Sequence, residues 1–189
     1  ITLTVTDLNF IKERKMLRRK QGSFLTCTRA AAKDMAGNDV IAVADGSGIG
    51  VSTYKDDLTA PQLKEYNIDL ARGVIQLLFT ETVKGGTLAP RNITLHSSAN
   101  ASASGAVSYQ LKGGSSSSHD STQSTLTLAK DDLNAIKALP TLAISNTTTF
   151  LSLSPGAIVD IRENEVVAVT STDARTVSVF VPDDVDPEL

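Results

Sequence analysis

The chain has 189 residues, which bounds it to one or two domains, and its net charge of −3 at pH 7 gives no global electrostatic case for nucleic acid. No apolar run approaches the roughly 18 residues that a membrane span needs. Aromatics make up 4 %, Trp is absent, and Ser, Thr and Val are abundant, which suits an all-β protein with modest cores.

In chain order, the first feature is the basic stretch at 12–20, KERKMLRRK. It reads as a solvated helix end, with a local contact to an acidic partner or glycan as the second reading. Cys27 is the single cysteine, so the domain is not disulfide-stapled, and the residue is expected to pack as a small buried hydrophobe. Residues 34–38, DMAGN, form a turn signal: Gly37 is free to take positive φ, while Asp34 and Asn38 can bond local backbone. Residues 46–50, GSGIG, resemble a phosphate loop only superficially, because a strand-like VSTY follows where a helix N-terminus is required.

From residue 63 the pattern becomes clearer. Residues 63–70, LKEYNIDL, and 74–80 alternate in hydrophobicity across a tight Ala71-Arg72-Gly73 turn, predicting a hairpin whose inner face continues to Val83. Further strands are expected at 92–96, 106–111, 125–128, 148–154, 165–169 and 176–181, with 113–118 as the most flexible loop. Residues 131–139 predict a short helix capped by an Asp, with Leu133, Ile136 and Leu139 on one face and Pro140 as its stop. Many short strands with turns between them suggest a two-sheet β-sandwich, the helix bridging its sheets at one end.

The chain also copies itself. DDLTAPQL at 56–63 matches DDVDPEL at 183–189, with Pro61 on Pro187 and Leu63 on Leu189. Val51-Ser52-Thr53-Tyr54 falls on Val177-Ser178-Val179-Phe180, and Asp34 through Asn38 on Asp160 through Asn164. Phe24-Leu25 falls on Phe150-Leu151, which places Cys27 at the position of Leu153. The spacing is 126 throughout, slipping to 125 for Asp7-Leu8-Asn9 on Asp132-Leu133-Asn134. Pro, Asp, Asn and Phe keep register along with the β-formers, and the spacing is domain-sized rather than solenoid-sized. In the second copy Glu163 replaces Gly37, so Asn164 is expected to take the strained turn position. The expected organisation is tandem: 1–60 as the C-terminal half of one domain, and 61–189 as a complete domain plus the start of the next linker. Ile1 aligns near Leu126, within a strand, so the chain reads as a piece of a longer polypeptide whose missing half lies upstream or comes from a neighbour.

Three motifs together carry a resemblance: D-x-x-x-P at Asp57–Pro61, the strand pair Gly73 to Val83 in the pattern G-x-I-x-L-x-F-x-E-x-V, and the DxAGN turn with its VSTY strand. The chain resembles the immunoglobulin-like (Ig-like) repeats of surface-layer proteins, adhesins and other cell-surface filaments. The resemblance implies tandem Ig-like β-sandwich domains with a short helix in each, and a scaffold role without catalysis. It also implies an extracellular or cell-surface location and self-association into a fibre, sheath or stalk by domain stacking, with lateral contacts or strand addition between subunits. The alternatives are a glycan- or receptor-binding module, and an accessory domain of a larger secreted enzyme.

Two sets of candidate sites follow. Asp56, Asp57, Asp183, Asp184 and Asp186 cluster at the domain junctions, where calcium would stiffen a joint; no DxDxDG loop accompanies them. Without calcium, no cofactor is expected. Asn92, Asn100 and Asn146 each head an N-x-S/T sequon, and in a secreted eukaryotic protein at least one is expected to carry a glycan. The serines of 115–118 with Ser121, Thr122 and Ser124 are candidates for O-glycans. His96 and His119 have no partner at metal-ligand spacing, and His119-Asp120 among so many serines carries no signal for a catalytic triad.

Overall fold

A computed structural model describes residues 2–184. Ile1, Asp186, Pro187 and Leu189, which the sequence reading used, lie outside the described residues. The chain divides into two compact units, one of Phe10–Asp57 and one that joins the first nine residues to those from Leu58 onward. The structure is β-rich, with two α-helices among the described residues.

Helix α1 (Val5–Glu13) leads into the smaller unit. There β1 (Phe24–Leu25) pairs antiparallel with β2 (Ile49–Gly50), Phe24 opposite Gly50 and Leu25 opposite Ile49. Single bridges continue the pairing at Cys27–Val43 and Lys33–Asp39. The turn that reverses the chain is built by Asp34. Its Oδ1 accepts from the N–H groups of Ala36 (2.9 Å) and Asn38 (2.8 Å), and its Oδ2 from Asn38 Nδ2 (2.9 Å). Gly37 takes φ +86°, the left-handed region this turn requires.

The larger unit opens with β3 (Leu63–Asp69) and β4 (Val74–Val83), the hairpin expected from alternation, with Gly73 at φ +65° in its turn. Then come β5 (Ile93–His96), β6 (Ser108–Gln110), β7 (Gly114–Ser116) and β8 (Ser121–Leu128). Helix α2 (Lys130–Lys137) follows, and β9 (Phe150–Leu153), β10 (Arg175–Thr176) and β11 (Val179–Val181) complete the unit. Two open sheets result, in the orders β11-β3-β4-β8-β7 and β10-β9-β5-β6. Both feed one apolar cluster: Tyr66, Ile75, Leu77 and Leu126 from the first, Ile93, Leu95 and Leu151 from the second, and Ile136 from α2. Each such aliphatic side chain, fully buried, contributes about 1.5–3 kcal/mol. The period-2 strands thus put every second residue into the core, and α2 adds Ile136 flanked by the partly buried Leu133 and Leu139.

Several expectations are corrected. The loop expected at 113–118 contains β7, an edge strand on β8. It closes in because Gly85 has no side chain: a Cβ there would stand 2.3 Å from the His119 carbonyl oxygen. Residues 165–169 make single bridges (Val159–Glu165 and Leu153–Val169) and no continuous strand. The strand expected at 176–181 is two strands in different sheets. β10 pairs with β9, and after the buried Val177 the chain crosses over so that β11 runs parallel to β3. No Asp caps α2. Its N-cap is Ala129, and Asp132 instead accepts from the N–H groups of Lys112 and Gly113 (both 2.9 Å) and from Tyr109 Oη (2.8 Å). Finally Glu163, at φ +67°, holds the left-handed turn position, and Asn164 does not. Asn164 is needed elsewhere, since its Nδ2 donates to Asp160 Oδ2 at 2.9 Å.

The two units share an internal plan at the spacing read from the sequence. Phe24–Gly50 and Leu25–Ile49 recur as Phe150–Thr176 and Leu151–Arg175. The bridges Cys27–Val43 and Lys33–Asp39 recur as Leu153–Val169 and Val159–Glu165. The 3-10 turns Lys20–Gly22 and Arg29–Ala31 recur as Asn146–Thr148 and Pro155–Ala157. The N–H of Val51 donates to Ser23 O, and that of Val177 to Thr149 O.

Candidate functional site

The sequons lie in three different settings. Asn92 ends a 3-10 turn, and its Nδ2, the atom a glycan would join, donates to Gly156 O at 2.8 Å. Asn100 is exposed, and its Oδ1 accepts from Ser102 N–H at 2.9 Å in an Asx turn, a bond that does not use Nδ2. Asn146 is exposed at the start of its 3-10 turn, and the hydroxyl of its sequon Thr148 accepts from the N–H groups of Ile144 and Ser145. Asn100 therefore has the least backbone to disturb.

The junction aspartates pair with lysines. In the smaller unit Asp57 meets Lys12 at 2.6 Å, and in the larger Asp183 meets Lys137 at 2.6 Å. The lysine comes from the end of the helix in each case, so this ion pair is also a repeated feature. Asp56 and Asp184 are exposed, and Asp186 lies outside the described residues. An ammonium thus occupies one carboxylate of each cluster, where a calcium ion would ask for six to eight oxygens. Elsewhere in the larger unit, oxygens of the buried Glu81 and Asp160 approach within 4.8 Å. Asp160 accepts at Oδ1 from Arg162 N–H (2.7 Å) and Asn164 N–H (2.8 Å), and at Oδ2 from Asn164 Nδ2. The turn thus uses three of the acceptor positions of this carboxylate.

His96 is a buried polar centre that sequence reasoning missed. Nδ1 lies 2.7 Å from Ser108 Oγ, and Nε2 lies 2.7 Å from Ser152 Oγ. Ser108 lies directly opposite His96 on β6, and Ser152 reaches it diagonally from β9, where it pairs with Thr94, so the imidazole bridges three strands. Burial holds its pKa below the ordinary 6.5, favouring the neutral ring, which donates to one serine and accepts from the other. The ring is 2 % exposed, so the cluster serves the sheet rather than a solute. Nothing in sequence separates these serines from the many others, since they lie 12 and 56 residues away from His96.

A shallow groove of about 600 Å³ runs along β6, lined by Arg91, Ser108, Tyr109, Gln110, Leu111 and Lys112. Gln110 Nε2 donates to Arg91 O at 2.6 Å, Arg91 Nε donates to Lys112 O at 3.0 Å, and the Lys112 ammonium lies 5.7 Å from the Tyr109 ring centroid. Burial first, and the bond to Asp132 second, raise the Tyr109 phenol to about 12. The groove therefore presents a neutral aromatic and two cations. No helix among the described residues is long and apolar enough to cross a membrane.

No protein-family model, curated protein or solved structure matches this chain.

Proposed function

We propose that this chain is a structural repeat segment of an extracellular filament, sheath or adhesin stalk, built of tandem Ig-like domains and acting without catalysis. The observation that carries the reading is the recurrence, 125 to 126 residues apart, of strand register, 3-10 turns, the Asp–Asn turn and the helix–linker ion pair. A chain that repeats a domain-sized plan is suited to spanning distance. The strand order supports the reading: β3-β4-β8-β7 and β10-β9-β5 neighbour one another as the A-B-E-D and G-F-C strands of an immunoglobulin sandwich do, with β11 and β6 added at one edge of each sheet and α2 in the connection before β9. Short Pro-containing linkers and Lys–Asp pairs would stiffen each joint without calcium, and glycans on Asn100 foremost would hydrate the surface. Electron microscopy of the native material tests this: filaments with an axial repeat of one domain are expected, and particles without any repeat would end the proposal.

A second reading, a glycan-binding module, is favoured by the β6 groove alone. There it would use Tyr109 as a platform with Arg91 and Lys112 as donors to acidic sugars. Binding on a glycan array that Arg91→Ala abolishes would favour it over the first.

A further inference from the structure

The shared plan has opposite surroundings in its two copies. Leu151 is fully buried, while its counterpart Leu25 is 66 % exposed. Val166 is 1 % exposed, and Val40 is 36 %. Ile161 and Leu142 are buried, whereas Met35 and Met16 are exposed. Residues 10–57 thus carry in solvent the apolar side chains that their counterparts bury, and apolar exposure of this kind calls for a partner.

The larger unit shows what covers such a face. β5 pairs antiparallel along the whole of β9, Ile93 opposite Leu153 and Leu95 opposite Leu151. Three further amides of the covered half donate to the covering half: Ser154 N–H to Asn92 O (3.0 Å), Val167 N–H to Pro61 O (2.9 Å) and Ser178 N–H to Tyr66 O (2.8 Å). Their counterparts in the smaller unit are Thr28, Ile41 and Ser52, and β1 pairs with β2 alone among the described residues. The covering half also runs straight into the covered one, a single residue, Ala129, separating β8 from α2.

From this we infer that the exposed face of residues 10–57 is a docking surface for a second polypeptide segment of the 61–128 pattern. The occupant is a half-domain with two long alternating strands like β3 and β4, and with a strand like β5 that adds to the open edge of β1. The inference stands on the internal match and is independent of whether the assembly is a filament.

The test compares the 189-residue chain with one carrying an additional copy of residues 61–125 ahead of residue 1, which at the 125-residue spacing of the N-terminal match makes residues 1–4 the continuation to α1 that 126–129 provide to α2. Amide exchange is read by residue-resolved NMR, and the reactivity of the single Cys27 by iodoacetamide. The added segment is expected to slow exchange at Thr28, Ile41 and Ser52 on the order of 100-fold and to slow Cys27 alkylation. Leu95→Asp within the added copy is expected to reverse both effects. The amides of Ser154, Val167 and Ser178 report in the same sample that the larger unit remains folded. Unchanged exchange at the three amides with those controls protected overturns the inference. So does self-association of the unextended chain that protects them, since the occupant would then be a second copy. Met35→Asp against Ile161→Asp in the unextended chain supplies an independent check. The first should leave the thermal midpoint unmoved while the second abolishes the larger unit's transition, and equal losses would show that the face is already covered.

Discussion

Leu25 and Leu151 occupy the same place in the same strand pairing, each opposite the first residue of a two-residue partner strand. The first is mostly in solvent and the second sees none. The comparison separates two things that a folded domain usually presents together. The backbone plan of residues 24–51 and 150–177 is set by local chemistry: an Asp whose carboxylate gathers three N–H groups, a residue at positive φ, and short 3-10 turns at fixed places. Burial is set by whether another half-domain lies over the face. Local hydrogen bonds thus draw the path, while most of the stability is expected from side chains reaching across.

The widest gap should come from truncating the paired leucines. Leu151→Ala is expected to cost about 2–5 kcal/mol in denaturant unfolding, and Leu25→Ala less than about 0.5 kcal/mol. Similar costs would show that the two faces are equally covered. Asp160→Ala should come next, at about 1–3 kcal/mol, because it removes a buried carboxylate and strands the half-buried N–H groups of Arg162 and Asn164. Asp34→Ala removes the same bonds in solvent and should cost much less. His96 sharpens the comparison from the buried side. Its pKa is lowered in the folded state, so the unfolded chain binds the proton first. Stability is therefore fully present above 6.5 and falls as pH drops toward the folded pKa, by at most about 1.4 kcal/mol per pH unit. Urea titrations between pH 7.5 and 5 should show that slope, and His96→Gln should flatten it. The smallest effect concerns the turn. Gly37→Ala should lose about 1 kcal/mol, and Glu163→Gly should gain no more than that. The gain is offset by loss of the exposed Lys84–Glu163 pair, and thermal midpoints would resolve both signs.

What was legible in the sequence follows the same division. The hairpin of β3 and β4 was plain because one face is buried along its length, so hydrophobicity alternates. Helix α2 was plain from Leu133, Ile136 and Leu139, and the repeated turn from Asp and Asn at fixed spacing. β7 was not, because GGSSSS has no apolar pattern; its strand exists because Gly85 and Gly114 let backbones approach closely. The crossing of β11 to the other sheet was hidden as well, since a run of valines looks alike in either sheet. Among the candidate sites, the residue types were visible but their partners were not. Asp57 and Asp183 were read as cation ligands, and what decides their surroundings is a lysine some 45 residues earlier in each copy. His96 needed two serines that only strand pairing brings together.

The parallel run of β11 beside β3 has a mechanical consequence. The first and last strands of the larger unit are neighbours pointing the same way, so tension applied at its two ends slides one along the other. In that geometry the bonds between Asn67–Asp69 and Val179–Val181 share the load together instead of parting one after another. A tether made of such units would resist pulling by the rate at which this clasp shears, a kinetic property largely independent of its equilibrium stability.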